Sequence, residues 1–289
     1  MKKIYISNFS GLGNRLEALV LASMIQDRFG HSIFLDWPEK ESLQIDGTGA
    51  GRIAPWERIG SVKLRDFDEP GLKALGKVRI INLRSTYGPR ELQRRYVLPT
   101  AARLHPHPRI SAAIRETLAR FGDRPAVAVH IRQGDFHVSG DLYDATAHRH
   151  PAPALWWYEH VMGAYVRAFP DVYFVLGHSG ETQALARLQE MFEIVSLPGV
   201  FDYRGLFPGH RSTGHPVVDL FGLASCTTLI ATPTSSFSHW AANLLGPRTR
   251  TILPAPRTTR SAPSFGAAEL WGCVVLDWRE AAEQGLRVA

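Results

Sequence analysis

Strand-length apolar runs alternate with helix-length amphipathic runs along most of this chain, and that alternation leaves few folds open. A first series reads "KIYIS" (3–7), a turn-rich "NFSGLGN", the helical "RLEALVLASMIQDRF" stopped by Gly30, and the strand "SIFLDW". Residues 40–75 are weakly patterned, "KVRIINL" (77–83) is a further strand, and a polar segment with Arg84, Arg90, Arg94 and Arg95 follows. "HPHP" (105–108) reads as a linker and "RISAAIRETLARF" as a helix ending at Gly122. A second, more regular series runs from "VAVHI" (127–131) through the helical "ALWWYEHVMGAYVRAF", the strand "VYFVLG", a helix over 181–191 and "FEIVSL". It continues with the helix "VVDLFGLAS", the strand "TLIAT" and the helix "SFSHWAANLL", stopped at Gly246 and Pro247.

Strands separated by helices imply an α/β fold whose parallel sheets are covered on both faces. With 289 residues, two domains of ordinary size fit. The expected division is an N-terminal Rossmann-like domain over 1–120 and a C-terminal one over 121–289, with a last helix able to pack back on the first. Such sheets bind ligands at the carboxyl ends of their strands.

Composition narrows the ligand. Basic residues number 33 against 27 acidic, for a formal charge of +6 and a pI near 9.5. That excess favours anionic ligands or contact with an acidic membrane surface. The basic residues are scattered and RNA-reading motifs with interleaved aromatics are absent, so nucleic acid is not expected. Cys226 and Cys273 are read as buried thiols, too few for a disulfide framework or a thiolate zinc site. The histidine pairs in "AHRH" and "HPHP" lack carboxylate partners, so no metal is expected. Two lysines at the start have no apolar run behind them, and no stretch approaches the roughly 18 apolar residues of a membrane span. The expectation is a cytoplasmic enzyme or binding protein; oligomeric state is not readable.

Four strings can carry chemistry. "VAVHIRQGDF" (127–136) is a buried strand that runs straight into charge. Arg132 at its end offers a planar fork of donors suited to phosphate or carboxylate. His130, two residues earlier, faces the same side of the strand, and Asp135 can orient the arginine or act as a base. A strand leaving the core into a charged turn explains the same string. In "TPTSSFSHWAANLLG" (232–246), Ser235 and Ser236 precede a helix. They are natural caps, and the helix start with its free N–H groups is also a phosphate site. Asp219, near the start of "VVDLFGLAS", is either a helix-dipole partner or a carboxylate able to accept N1–H and N2–H of guanine. "SGLGNRLEAL" is half of a dinucleotide fingerprint, with Leu16 at the third glycine position. Its Gly11 and Gly13 permit close backbone approach, and Asn14 and Arg15 are placed to touch a ligand.

In order and spacing, "GLGNR", "HIRQGD" and "DLFGLASCTTLIATPTSSFSHWAANL" together resemble the fucosyltransferase superfamily, most of all the bacterial α-1,2-fucosyltransferases. Protein O-fucosyltransferases and α-1,6-fucosyltransferases share looser versions. The resemblance implies a GT-B fold, two facing Rossmann-like domains with the donor site in the cleft. It also implies GDP-fucose as donor substrate, a glycan acceptor, inversion at the anomeric carbon, and no cofactor or required metal. By position, Arg132 would hold the β-phosphate, His130 would line the donor pocket and Asp219 would read guanine. Ser236 and Phe237 would contact the diphosphate and the base or ribose region. Gly13 and Asn14 would close the cleft from the N-terminal domain.

Three positions depart from the pattern: Gln133 replaces a second arginine, Arg15 a glutamine, and His239 a frequent tryptophan. The linkage therefore stays open. The general base is sought among Asp135, Glu17, His137 and Asp141, in that order of preference for the first two. A glycosyltransferase using another nucleotide-linked sugar, an NAD(P)-dependent oxidoreductase and a non-catalytic binding module are the alternatives.

Overall fold

The computed structural model describes residues 1–64, 67–132, 137–138, 151–179, 183–197, 215–233, 235–254 and 274–276. They divide into two compact units, Met1–His107 and a second beginning at Pro108.

In the first unit the chain runs β1 (Lys3–Ser7), α1 (Leu12–Phe29), β2 (Ser32–Asp36), β3 (Leu43–Ile45), β4 (Thr48–Ala50) and α2 (Pro55–Ile59). It continues through β5 (Val62–Leu64), α3 (Glu69–Leu75), β6 (Ile80–Leu83), α4 (Arg90–Ala101) and β7 (Leu104–Pro106). Five strands form a parallel sheet in the order β4-β2-β1-β6-β5, and β3 pairs antiparallel with β7. Helix α1 is buried from Leu12 to Ile25 apart from Asn14, because the sheet packs on one side of it and α4 on another. It ends at Gly30, whose φ of 70° is a left-handed cap that a side chain resists.

The second unit runs α5 (Pro108–Ala119), β8 (Ala126–Arg132), β9 (His137–Val138), β10 (Pro151–Ala152), α6 (Leu155–Ala168), β11 (Tyr173–Ser179) and α7 (Gln183–Met191). Then come β12 (Ile194–Val195), α8 (Pro216–Leu223), β13 (Thr228–Ile230), α9 (Ser236–Leu245), β14 (Arg250–Pro254) and β15 (Val274–Leu276). Six of these strands form a parallel sheet ordered β12-β11-β8-β13-β14-β15. Alternate residues of β8, Val127, Val129 and Ile131, pack with Phe174 against Trp157, Tyr158, Val161 and Met162 of α6 and Leu188 of α7. The opposite face is covered by α8, where Leu223 lies against Gly177 with no room for a side chain between them.

Both parallel sheets therefore match the α/β expectation, and several local readings change. The chain divides before α5, not after it; α5 packs on α8 and so groups with the second unit. The "HPHP" string is not a linker: Leu104–Pro106 is a strand that Leu43–Ile45 pairs with. The arginine-rich segment after residue 84 includes α4, which buries Gln93, Val97, Thr100 and Ala101 despite its polar sequence. Helix α1 starts at Leu12, three residues earlier than its apolar periodicity shows, so Gly13 and Asn14 lie in its first turn. Cys273 lies outside the described residues.

Each large sheet has one topological switch point. In the first, the chain leaves β1 toward β2 on one side and β6 flanks it on the other. In the second, β8 is followed in space by β11 on one side and β13 on the other. Crevices at such points, outside the carboxyl ends of the strands, are where open α/β sheets hold ligands.

Candidate functional site

The carboxyl ends of β8, β11 and β13 bring the second unit's candidates together. Parallel pairing sets Gly177 beside His130 and Ser179 beside Arg132. Helices α8 and α9 flank β13 in sequence and run against the sheet, so both begin at this same edge. Asp219 lies in the first turn of α8, and Ser235 is the N-cap residue of α9. Arg132, His130, Asp219, Ser235, Ser236 and Phe237 are thus all held at one sheet edge, beside one switch point.

A hydrogen-bonded lattice fixes that edge. The His130 ring Nδ1 lies 2.7 Å from Ser238 Oγ. Ser238 Oγ also accepts the Thr232 N–H at 3.2 Å. Thr232 Oγ1 donates to the His130 carbonyl at 2.8 Å, accepts the Arg132 N–H at 3.2 Å and lies 3.0 Å from Tyr158 Oη. These bonds tie the end of β8 to the start of α9, which fixes where the Arg132 side chain leaves the sheet. The Phe237 ring stands 5.1 Å from that of His130, tilted by 32°.

Electrostatics follow from burial. His130 is held neutral, its pKa lowered to about 3, first by burial and then by the positive charge of Arg132 and by His178. Burial alone lowers His178 to about 4. Burial alone also raises Asp219, to about 7, so this carboxyl titrates near neutrality. A ligand that brings N–H donors to Asp219 favours its ionised form.

Polar groups at the same edge lack hydrogen bonds among the described residues. Ser235 Oγ, both ring nitrogens of His178 and Ser179 Oγ are buried without a partner. Ser235 is 1 % exposed and makes no side-chain cap bond to its own helix. Unsatisfied buried groups are uncommon and call for an explanation. Four atoms at the carboxyl edge of one sheet fit a polar ligand.

The first unit's candidates divide differently. Gly11 is the N-cap residue of α1, and among the described residues a Cβ there meets nothing within 4 Å. Asn14 Nδ2 donates to Ser10 Oγ at 2.8 Å, and Gly13 is buried in the helix. Arg15 is a correction to the sequence reading. Its guanidinium is 1 % exposed and grips Glu39 with two bonds of 2.7 and 2.6 Å. Nε donates to the Ser10 carbonyl at 2.9 Å, and the group stacks over Trp37 at 5.0 Å. Arg15 thus orders the loop before α1 and does not reach outward to a ligand. Glu17, one turn beyond Gly13, is 1 % exposed on the same helix. Asp135, Gln133 and Asp141 lie outside the described residues, and of His137 only its place in β9 is described.

Thr232, Ser238, Tyr158, His178, Ser179 and His215 were missed as site residues. His215 caps α8, its Nδ1 accepting the Val217 N–H at 3.2 Å. The signal for Thr232 and Ser238 was their position: the last residue of an apolar strand, and the first turn of the next helix. His178 carried no signal, because the register that sets it beside the end of β8 is not a local property.

No family model matches the sequence, and no curated protein matches it. Solved structures do match it across most of its length. A point variant of FUT1 from Arabidopsis thaliana, in complex with GDP, matches at a TM-score of 0.56 and 12% identity, over 91% of this chain and 72% of that one. NodZ α-1,6-fucosyltransferase co-crystallised with GDP matches at 0.53 and 16% identity, over 89% of this chain and 97% of that one. POFUT1 in complex with GDP-fucose matches at 0.53 and 13% identity, over 87% and 98%. The chain shares their fold. At these identities the likeness concerns fold alone, and it does not single out α-1,2 enzymes.

Proposed function

We propose that this protein is a glycosyltransferase that moves fucose from GDP-fucose to a hydroxyl of a glycan acceptor, with inversion and without a metal. The observation that carries this reading is the meeting of Arg132, Asp219 and the start of α9 at one switch point. The fold around that point is shared with structures described as complexes of GDP or GDP-fucose. Arg132 binds the β-phosphate, and the α9 N-terminus with Ser235 and Ser236 supports the diphosphate. Asp219, once ionised, accepts the two guanine N–H donors. Phe237 and the neutral His130 line the pocket beside them.

Chemically, the bond from the anomeric carbon to the β-phosphate oxygen breaks as the acceptor oxygen bonds from the opposite face, and the acceptor proton passes to a base. Negative charge grows on the departing GDP. A fixed arginine and a helix N-terminus stabilise it as a bound cation otherwise would. For the base, Asp135 and Glu17 are the proposed residues. The first unit is assigned the acceptor, with Gly11, Gly13 and Asn14 facing it, and surface polysaccharide or a related glycan is the product. The motif strings are nearest to those of α-1,2 enzymes.

Thermal-shift measurements with GDP, UDP, ADP and NAD test the reading, since a ligand bound only by the folded state raises the melting temperature. GDP is expected to stabilise most. Stabilisation by NAD and not by GDP refutes it in favour of an oxidoreductase. Release of GDP from GDP-fucose, unchanged by chelator, is the expected turnover result; GDP binding with no turnover on any glycan would leave a binding module.

A further inference from the structure

The opposite edge of the first sheet has its own character. Strand polarity places the starts of β1, β5 and β6 at the amino edge, together with the ends of α1, α2 and α3. Trp56, Ile59 and Val62 lie here within seven residues of sequence and are 75%, 91% and 43% exposed. Trp56 and Ile59 are three residues apart on α2, so they share a helix face. Such exposure of large apolar groups is not explained by the fold, which buries Ile4, Ile6, Ile33 and Ile81 of the same sheet.

Charge at this edge is one-sided. Arg28, Arg58, Lys63, Lys73, Lys77 and Arg79 are all exposed, in or next to the elements that end or begin there. Of the acids nearby, Glu57 is neutralised by Lys3 at 2.8 Å, which leaves Asp27, hydrogen-bonded by Tyr96 at 2.6 Å, as a single negative charge against the six. An aromatic and an aliphatic side chain close in sequence to Arg58 and Lys63, at a sheet edge that carries four further cations, match the requirements of the interface of an anionic lipid bilayer. Indole rings settle at headgroup depth, and lysine and arginine are drawn to acidic headgroups. A protein partner or a second copy gains nothing from six like charges unless it is itself strongly acidic, and this chain is not.

We propose that the amino edge of the first sheet is a membrane-docking surface for anionic bilayers, with Trp56 and Ile59 entering the interface. The carboxyl edge of that sheet stays clear of the lipid, because the two edges are opposite ends of the same strands. The proposal does not rest on the assigned activity.

Flotation of the full chain with vesicles tests it. Binding is expected to phosphatidylcholine vesicles containing phosphatidylglycerol and not to phosphatidylcholine alone. It is expected to fall at least tenfold when salt is raised toward 1 M, where the screening length shrinks to about 3 Å. Trp56→Ser with Ile59→Ser should abolish binding, and Arg58→Glu with Lys63→Glu should weaken it by a similar factor. These side chains are exposed, so the melting temperatures stay close to that of the parent. No binding to the anionic vesicles, or binding that survives both double variants, overturns the proposal. So does a dimer in light scattering that Trp56→Ser with Ile59→Ser dissociates, which would assign the patch to a second copy.

Discussion

The two units each place an arginine at or beyond the end of the first strand of a parallel sheet, and they use it in opposite ways. Arg15 in the first unit is sealed at 1 % exposure against Glu39 and stacked on Trp37. Arg132 in the second is half-buried, and its charge is felt by His130. The first arginine sits inside a helix whose burial on several sides leaves it no way out. The second ends a strand, where the chain must leave the sheet and the side chain can meet something that is not protein. An arginine's residue type is thus a poor guide to its role; the element that carries it, and how deeply that element buries it, decide between scaffold and site.

That contrast is sharpest under alanine. Arg15→Ala leaves Glu39 buried without its cation, which is expected to cost about 3–5 kcal/mol of stability, read as the urea midpoint. Arg15→Met with Glu39→Leu should recover most of that loss, because it removes both charges. Arg132→Ala should instead lower kcat by roughly 10²–10³, with Arg132→Lys between the two. If Arg15→Ala is as stable as the parent, or Arg132→Ala turns over normally, the division of roles fails.

Much of this was legible in the sequence. Periods of two and about 3.6 set out β1, α1, β8, α6, β11, α8, β13 and α9, and strand polarity then placed His130, Arg132, Asp219 and Ser235 at one kind of edge. Burial of Arg15 was not legible, because Glu39 lies 24 residues away and only the fold brings them together. Strand β7 hid inside a proline-rich string for the same reason, since its partner β3 lies some sixty residues earlier. Helix α4 hid because its sequence is polar and contains Pro99; it forms because α1 offers it an apolar wall. Local pattern fixes elements, and long-range pairing fixes which side chains they expose.

The second unit also carries three groups that make the protein sensitive to pH. His130 and His178 are held neutral, with pKa values lowered to about 3 and about 4. Unfolding frees both to protonate below about pH 6.5, so their contribution is lost as pH falls through that range. Asp219 acts in the other sense: raised to about 7, its contribution fades as pH rises from about 4 toward 7. Between pH 6 and 4.5 two protons are taken up on unfolding and one released, a net of one. These three groups should therefore lower stability on acidification by about 1.4 kcal/mol per pH unit, and His31, whose pKa burial also lowers, adds in the same sense. Asp219→Asn should steepen that slope. The same carboxyl makes GDP binding pH-dependent, since guanine needs it ionised. Affinity for GDP is expected to rise up to tenfold per unit below pH 7 and level off above it, while UDP shows no such slope. A flat GDP profile, measured by calorimetry, removes Asp219 from the site.

The smallest effect separates two serines three residues apart. Ser238 is woven into the lattice with His130 and Thr232, so Ser238→Ala should cost about 1–2 kcal/mol of stability by leaving buried polar atoms unmatched. Ser235 sits at the helix start, where a serine that caps is worth about 0.5–2 kcal/mol. Its Oγ makes no such bond to α9, so the protein loses nothing from Ser235→Ala and the melting temperature should not move. If the hydroxyl is kept for a phosphate oxygen, GDP affinity should fall by roughly two- to tenfold, the worth of one hydrogen bond. Loss of stability with unchanged GDP affinity would show that Ser235 belongs to the scaffold, as Arg15 does.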